Sequence, residues 1–185
     1  MTKIVFITGS MRKNSFNRQL ANEIAGMIGS RADVSFLDYG DIPWMNQDIE
    51  FPAPSSISRV RSILQEADGI WICSPEYNGT IPGVLKNLLD WVSRSLDPND
   101  PAGLSAVAGK KVTISGAGGR AKTGSVRSHL ADLLTFMRME VIGKDGTGIA
   151  VGAVGWKTDV LSLDKEQKAE LNAQVDTFLK VISEK

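Results

Sequence analysis

Cysteine and histidine are scarce in this sequence of 185 residues, which contains one of each, Cys73 and His129. A single cysteine excludes an internal disulfide framework and suits a reducing compartment. Neither residue has a partner at a spacing typical of a metal centre, so we predict no metal site. His129 falls in the middle of a predicted helix, where a structural role is expected.

Nucleophile motifs are also missing. No G-x-S-x-G segment is present, so the sequence lacks the nucleophile elbow of a serine hydrolase. Cys73 ends a predicted strand as a phosphatase thiolate does, but Gly79 stands six residues later, where an arginine would hold the phosphate. We therefore predict no catalytic side chain, and chemistry supplied by a cofactor.

Net charge and long apolar runs are missing as well. Lys+Arg and Asp+Glu each total 21, so no basic field favours a nucleic-acid partner. No stretch is long enough to span a bilayer, and the first residues lack the pattern of a signal peptide. Hydrophobic residues make up 42% and charged residues 23%, as in ordinary globular proteins. We expect one cytoplasmic domain, residues 1–185, without a membrane or nucleic-acid partner.

What the chain does contain is a regular alternation of apolar runs and amphipathic segments. Strands are predicted at 4–7, 34–37, 69–73, 110–115 and, with an interruption, 140–143 plus 149–154. Helices are predicted at 16–28, 56–66, 82–92, 126–139 and 165–182. Five strand–helix alternations without a compositional break predict an α/β fold with one doubly wound parallel sheet.

Three loops should meet at the carboxyl edge of that sheet, where doubly wound proteins bind ligands. They are residues 9–15, 74–80 and 115–120, all rich in glycine and polar side chains. We interpret this edge as the functional face.

The first loop has the composition of an anion site. It joins the hydroxyls of Ser10 and Ser15, the amide of Asn17 and the guanidinium of Arg12 to the positive end of a helix. This set predicts a cup for a phosphate-like group. The alternative is an ordinary strand-to-helix loop in which Asn14 or Ser15 caps the helix.

The second and third loops are suited to a flat ring. Residues 74–83 contain two prolines and two glycines, and their peptide edges can lie along a ring with Tyr77 as an aromatic wall. The alternative is a turn-rich connection with a surface tyrosine. Residues 116–123 resemble both a dinucleotide fingerprint and a P-loop, but each pattern is incomplete or misplaced. We favour a flexible wall on the other side of the ring.

Two long motifs resemble the NADPH-dependent FMN reductase family, which includes quinone, chromate and azo-dye reductases. From Gly9 the sequence reads G-S-x-R-x-x-S-x-N-x-x-L, and from Pro75 it reads P-E-Y-N-G-T-I-P-G-x-L-K-N-x-x-D-W-x-S-R. A third segment, from Pro43 to Glu50, resembles the family's P-L-Y-N-x-D-x-E, with Met45 in place of the usual tyrosine.

The resemblance implies a flavodoxin-like three-layer sandwich: a five-stranded parallel sheet of order 2-1-3-4-5 with helices on both faces. It also implies noncovalently bound FMN. The residues implied for the phosphate are Ser10, Arg12, Ser15, Phe16 and Asn17. Those implied for the isoalloxazine are Pro75, Glu76, Tyr77 and Asn78 on one side and Ser115 and Gly118 on the other.

By the same resemblance, NADPH or NADH would give hydride to flavin N5. The electrons would pass by a ping-pong mechanism to quinones, azo compounds or metal oxyanions. Family members form homodimers or homotetramers, and Trp44, Phe51 and the stripe near Trp91 are candidate interface residues. A flavodoxin-type electron carrier or a flavin sensor without NAD(P)H turnover is the alternative.

Overall fold

The computed structural model describes residues 1–184. Its strands are β1 Lys3–Thr8, β2 Asp33–Phe36, β3 Gly69–Cys73, β4 Lys111–Gly118, β5 Glu140–Val141 and β6 Thr147–Ala150. Its α-helices are α1 Phe16–Ile28, α2 Ser55–Glu66, α3 Gly83–Val92, α4 Gly124–Phe136, α5 Ala153–Thr158 and α6 Lys165–Ser183. Short 3₁₀ turns occupy Gly29–Arg31 and Gln47–Ile49.

All strands of the described chain join in one parallel sheet of order β2-β1-β3-β4-β5, with β6 also paired to β4. The fifth position is shared, because β5 pairs with the beginning of β4 at Lys111 and β6 pairs with its end from Ser115 to Gly118. The predicted order and the interrupted fifth strand are therefore confirmed. The prediction of strand for 151–154 is wrong, since α5 begins at Ala153.

Alternate residues of the buried strands pack into two separate hydrophobic cores, one on each face of the sheet. Val5 and Ile7 of β1 face the layer formed by α2, α3 and α4, whereas Ile4 and Phe6 face α1 and α6. This two-residue alternation is what a central parallel strand covered on both faces requires. The single-domain prediction spans residues 1–185, of which Lys185 lies outside the described residues.

Hydrogen bonds from large side chains fix the layers relative to one another. Trp71 of β3 donates its indole N–H to Ser115 Oγ at 3.1 Å, and that hydroxyl donates to Gln174 Oε1 on α6 at 3.0 Å. Trp91 is fully buried and donates to the carbonyl of Pro43 at 2.9 Å, so it is a core residue and no part of an exposed interface stripe. Within residues 1–184, no helix is both long and apolar enough to cross a bilayer.

Candidate functional site

A cavity of about 340 Å³ opens at the carboxyl ends of β1, β3 and β4. The predicted residues that line it are Ser10, Arg12, Ser15, Phe16, Asn17, Pro75, Glu76, Tyr77 and Gly118. Two predicted residues, Asn78 and Ser115, lie outside its lining. The topology thus brings three segments that are distant in sequence, residues 10–17, residues 75–77 and Gly118, to one cleft.

The β1–α1 loop presents a helix N-terminus to this cavity. Ser15 caps α1 by accepting a hydrogen bond from the Asn17 backbone N–H at 3.2 Å. This is the cap that we predicted for an ordinary strand-to-helix loop. The backbone N–H groups of Lys13, Asn14 and Phe16 donate to no group among the described residues. Capping therefore uses one hydroxyl and leaves several N–H donors at the positive end of the helix.

Arg12 lies at the outer edge of the same loop. Its Nη1 donates to both carboxylate oxygens of Asp159, at 2.7 and 2.8 Å, and the guanidinium carbon is 5.3 Å from the centre of the Phe16 ring. The hydrogen bond from Arg12 lowers the pKa of the Asp159 carboxyl. Arg12 Nε and Nη2 have no partner in residues 1–184, so one edge of the guanidinium keeps its donors.

The Asn17 side chain has a different environment from the one the phosphate prediction implies. Its amide is buried, donates to the carbonyl of Ala117 at 3.0 Å and accepts from the N–H of Ala117 at 2.8 Å. Both ends of the amide are thus engaged with β4. A direct contact between this side chain and a phosphate stays a prediction.

A tight turn shapes the β3–α3 wall. Tyr77 and Thr80 exchange backbone hydrogen bonds at 3.2 and 3.1 Å across Asn78 and Gly79, whose φ angles are 52° and 74°. Two positive φ angles define the turn that Asn-Gly favours, which accounts for the position of Asn78 at an exposed tip. Tyr77 is 49% exposed, with its hydroxyl 3.4 Å from Ser10 Oγ.

Glu76 connects this wall to the next one. Its carboxylate accepts a hydrogen bond from the Val126 N–H at 3.1 Å, in the first turn of α4. Ser125 Oγ adds a second connection by donating to the carbonyl of Gly79 at 2.7 Å. Thr123, the residue that precedes α4, makes no side-chain cap, so Glu76 supplies the capping acceptor from another loop.

The third wall of the cavity is formed by the end of β4, which extends further than we predicted. Gly116 to Gly118, expected to be a flexible loop, are the last residues of β4 and pair with β6. Ser115 is consequently a fully buried strand residue that bonds Trp71 and Gln174. The loop itself begins after Gly118, and Lys122 and Thr123 within it have positive φ angles of 49° and 55°.

Trp156 is a cavity residue that the sequence reasoning missed. Its ring stands edge-on to Phe16, with centroids 5.0 Å apart and an interplanar angle of 82°. Because the fifth sheet position also ends at the carboxyl edge, the segment after β6 belongs with the other three loops. The rule that ligands bind at the carboxyl ends of the strands could therefore have identified Trp156 from the sequence. The remaining additional lining residues are Ala117, Gly119, Arg120, Ala121 and Thr123.

The single cysteine and the single histidine of the chain lie outside this lining. Cys73 is fully buried at the end of β3, and burial raises the pKa of its thiol far above the usual range. His129 is exposed on α4. Neither lines the cavity, whose polar lining combines the donors Ser10, Arg12 and Ser15 with the carboxylate of Glu76.

The fold and the cavity together define a flavodoxin-like domain whose β1–α1 loop presents hydrogen-bond donors at the carboxyl edge of the sheet. The chain belongs to the NADPH-dependent FMN reductase family, whose model matches residues 2–152. Membership makes it a flavoprotein oxidoreductase, with FMN as cofactor and NAD(P)H as electron donor.

Similar proteins agree with this assignment. A 2-hydroxy-1,4-benzoquinone reductase from a Burkholderia species is 38% identical over 136 residues, 73% of this chain and 71% of the relative. An NAD(P)H-dependent FMN reductase of Pseudomonas aeruginosa is 33% identical over 178 residues, 95% of this chain and 92% of the relative. The solved structure of FerB, a flavoenzyme NAD(P)H:(acceptor) oxidoreductase from Paracoccus denitrificans, has a TM-score of 0.86 at 26% identity, covering 99% of this chain and 98% of that one.

The donor set of the cavity fits FMN. A phosphate monoester needs several N–H and O–H donors and positive charge, which the β1–α1 loop provides through Ser10, Arg12 and the start of α1. A flat ring needs a slot with peptide edges and an aromatic side, which Pro75, Tyr77 and the end of β4 provide.

Proposed function

We propose that this protein carries electrons from NAD(P)H to quinones in two separate half-reactions at one cofactor face. Bound FMN supplies hydride acceptance and onward electron transfer at its N5 position. The protein binds and orients the ring and leaves one face open. The observation that supports this proposal most is that one cavity joins the donor-rich β1–α1 loop to a slot with an aromatic wall. Most of the residues that the family motif nominates line this cavity.

The phosphate is proposed to lie at the β1–α1 loop, held by Ser10, Ser15, Arg12 and the free N–H groups at the start of α1. Asn17 is proposed to belong to the same site, where its side chain also holds the end of β4. The ring is proposed to lie between Pro75–Tyr77 and the end of β4 at Gly118. Asn78 and Ser115 then shape the walls from outside, as a turn tip and a buried strand residue.

Replacing the proposed phosphate ligand tests this placement. Arg12→Ala is expected to raise the FMN dissociation constant about 10- to 100-fold, because a hydrogen bond to a charged group contributes about 1.5–3 kcal/mol. Riboflavin, which has no phosphate, should bind the variant and the parent equally. Equal loss of both flavins would place the phosphate elsewhere.

Steady-state kinetics test the shared-face mechanism. NADPH is varied at several fixed concentrations of a benzoquinone, and turnover is followed by the loss of absorbance at 340 nm. If donor and acceptor use one face in turn, the double-reciprocal lines are parallel. Intersecting lines would mean that both substrates bind together, and absence of turnover would favour the electron carrier or sensor.

Acceptors other than quinones belong to the same proposal. An exposed reduced flavin discriminates weakly, so azo compounds and metal oxyanions are proposed as further acceptors. The names of similar proteins support quinones first, since relatives are described as 2-hydroxy-1,4-benzoquinone reductase and quinone reductase. Comparing kcat/KM for a benzoquinone, an azo dye and chromate on one preparation ranks them.

The choice between NADPH and NADH is proposed to depend on Arg120. This exposed residue lines the cavity beyond the end of β4, and we propose that it binds the 2′-phosphate of NADPH. Arg120→Ala should raise KM for NADPH several-fold and leave KM for NADH unchanged. The matched control is Lys122→Ala, a cation two residues away that lies outside the cavity lining.

We also propose a homo-oligomer, either a dimer or a tetramer. Trp44 is 73% exposed and Phe51 41% exposed, and both lie in the long connection before α2. Such large apolar side chains are commonly covered in assemblies. Sedimentation of the parent and of Trp44→Ser tests this, with dissociation expected for the variant. The cytoplasmic location stays a prediction.

A further inference from the structure

A short segment after β6 packs against the β1–α1 loop and the start of α1. We name residues 153–161 the clasp, which consists of α5 and the turn that follows it. The family match ends at residue 152, so the clasp lies outside it. Gln19 of α1 ties the clasp down, donating from Nε2 to the carbonyl of Asp159 at 3.0 Å and accepting at Oε1 from the Leu161 N–H at 2.8 Å.

The clasp brings two side chains to the loop. Trp156 packs edge-on against Phe16 and lines the cavity, and Asp159 binds Arg12 Nη1 through both carboxylate oxygens, at 2.7 and 2.8 Å. The Asp159 carboxylate is itself held in place by the backbone. Its residue ends α5 with φ of 60°, and its N–H donates to the carbonyl of Gly155 at 2.8 Å.

We propose that Asp159 is a positioning residue for the cofactor phosphate: it holds one edge of the Arg12 guanidinium and leaves Nε and Nη2 to bind the phosphate. The proposal rests on the proposed function, which places the FMN phosphate at Arg12. A free arginine side chain samples many rotamers, and ordering it on ligand binding costs affinity. The ion pair orders the guanidinium before the ligand arrives.

A second, opposing effect of the Asp159 carboxylate determines whether its removal weakens or strengthens FMN binding. The Asp159 carboxylate also adds negative charge near an anionic ligand, which alone would weaken binding. Arg12 compensates this charge at direct contact, so orientation is expected to outweigh repulsion. Removing the carboxylate should therefore weaken FMN binding, whereas dominant repulsion would make the same change strengthen it.

The left-handed backbone at Asp159 provides two clean variants. Glycine and asparagine both tolerate this φ, so Asp159→Gly deletes the side chain and Asp159→Asn keeps one acceptor without the charge, with little backbone strain in either. FMN and riboflavin are titrated into the flavin-free full chain, and binding is read from quenching of flavin fluorescence. The matched control is Asp176→Asn, which removes the exposed Arg31–Asp176 ion pair of 2.7 Å.

Asp159→Gly is expected to raise the FMN dissociation constant about fivefold, the upper range for an exposed ion pair, and to leave riboflavin binding unchanged. Asp159→Asn should show a smaller increase, and Asp176→Asn none. In an Arg12→Ala background Asp159→Gly should no longer weaken FMN binding, because the guanidinium that the carboxylate orients is gone. Any remaining effect should be tighter binding, because the carboxylate that Arg12 no longer compensates only repels the phosphate.

Three outcomes would overturn the proposal. Unchanged or tighter FMN binding by both Asp159 variants would show that the carboxylate does not assist the phosphate. Equal weakening of FMN and riboflavin would show a purely structural role for the clasp. Unchanged FMN affinity in Arg12→Ala itself would remove the phosphate from Arg12, and this result identifies failure of the proposed function rather than of the Asp159 role alone.

Discussion

The side chain of Asn17 and the backbone of Ala117 exchange two hydrogen bonds, of 3.0 and 2.8 Å, across a separation of one hundred residues. β3 ends at Cys73, whose partner on β4 is Ser115, so β4 continues past the end of its neighbour. Asn17 supplies the donor and the acceptor that a longer β3 would have supplied. A helix side chain thus completes the sheet beside the candidate cofactor cavity.

Loss of this contact should destabilise the fold. Asn17→Ala leaves the N–H and the carbonyl of Ala117 unpaired in a buried position, which is expected to lower the free energy of unfolding by about 2–4 kcal/mol. Urea unfolding of the flavin-free protein measures it. Asn172→Ala is the control, since that exposed amide bonds only Lys168 within its own helix. An Asn17→Ala protein as stable as the parent would contradict this role.

The carboxylate of Glu76 should be measurable as a helix cap. Glu76→Ala removes the acceptor for the Val126 N–H and is expected to destabilise the protein by about 1 kcal/mol. For a chain of this length that corresponds to a fall in Tm of about 2–4 °C. Glu76→Gln keeps an oxygen acceptor and should lose less. Glu23→Ala, at an exposed position of α1, is the control. Identical melting of all four proteins would rule the cap out.

Cys73 should be inert in the native protein. Its thiol is fully buried, and burial raises its pKa, so little reactive thiolate forms at pH 8. Ellman's reagent should label no thiol in the native state and one per chain after denaturation. Rapid labelling of the folded protein would show that the end of β3 opens to solvent.

The same thiol gives stability a defined dependence on pH. Because the folded pKa of Cys73 is raised, the folded chain keeps a proton that the unfolded chain releases above about pH 8.5. The contribution of this thiol to the free energy of unfolding is therefore fully present below that pH. It is lost as the pH rises, with a slope that approaches about 1.4 kcal/mol per pH unit. Cys73→Ala should remove this part of the slope between about pH 8.5 and 9.5, below the range where Tyr39 would contribute. An unchanged slope would contradict it.

The sequence predicts the fold well because the buried strands are locally unambiguous. β1 and β3 are short apolar runs that end in glycine or polar loops, and each following helix carries a clear apolar face. The end of β4 was wrongly predicted because its residues Gly116 and Gly118 look like a loop. A Cβ at Gly116 would lie 2.7 Å from the Ser74 carbonyl oxygen and against Thr123 Oγ1, so these glycines permit close packing of a strand.

Less of the candidate site than of the fold could be predicted from the sequence. Motifs place the β1–α1 and β3–α3 loops at the cavity because each is a local segment after a strong strand. Contacts such as Arg12–Asp159 and Trp156–Phe16 join residues about 140 positions apart. Local pattern carries no information about such pairs, and the six-residue helix α5 is too short to show an amphipathic period.

Anaerobic reduction of the purified protein tests the central claim most directly. Its absorption is recorded between about 350 and 500 nm, and NADPH or NADH is then added without oxygen. We expect a bound flavin spectrum that bleaches at once with the nicotinamide and returns on addition of a benzoquinone. A bound flavin that bleaches only with dithionite would contradict reductase activity and favour an electron carrier or sensor.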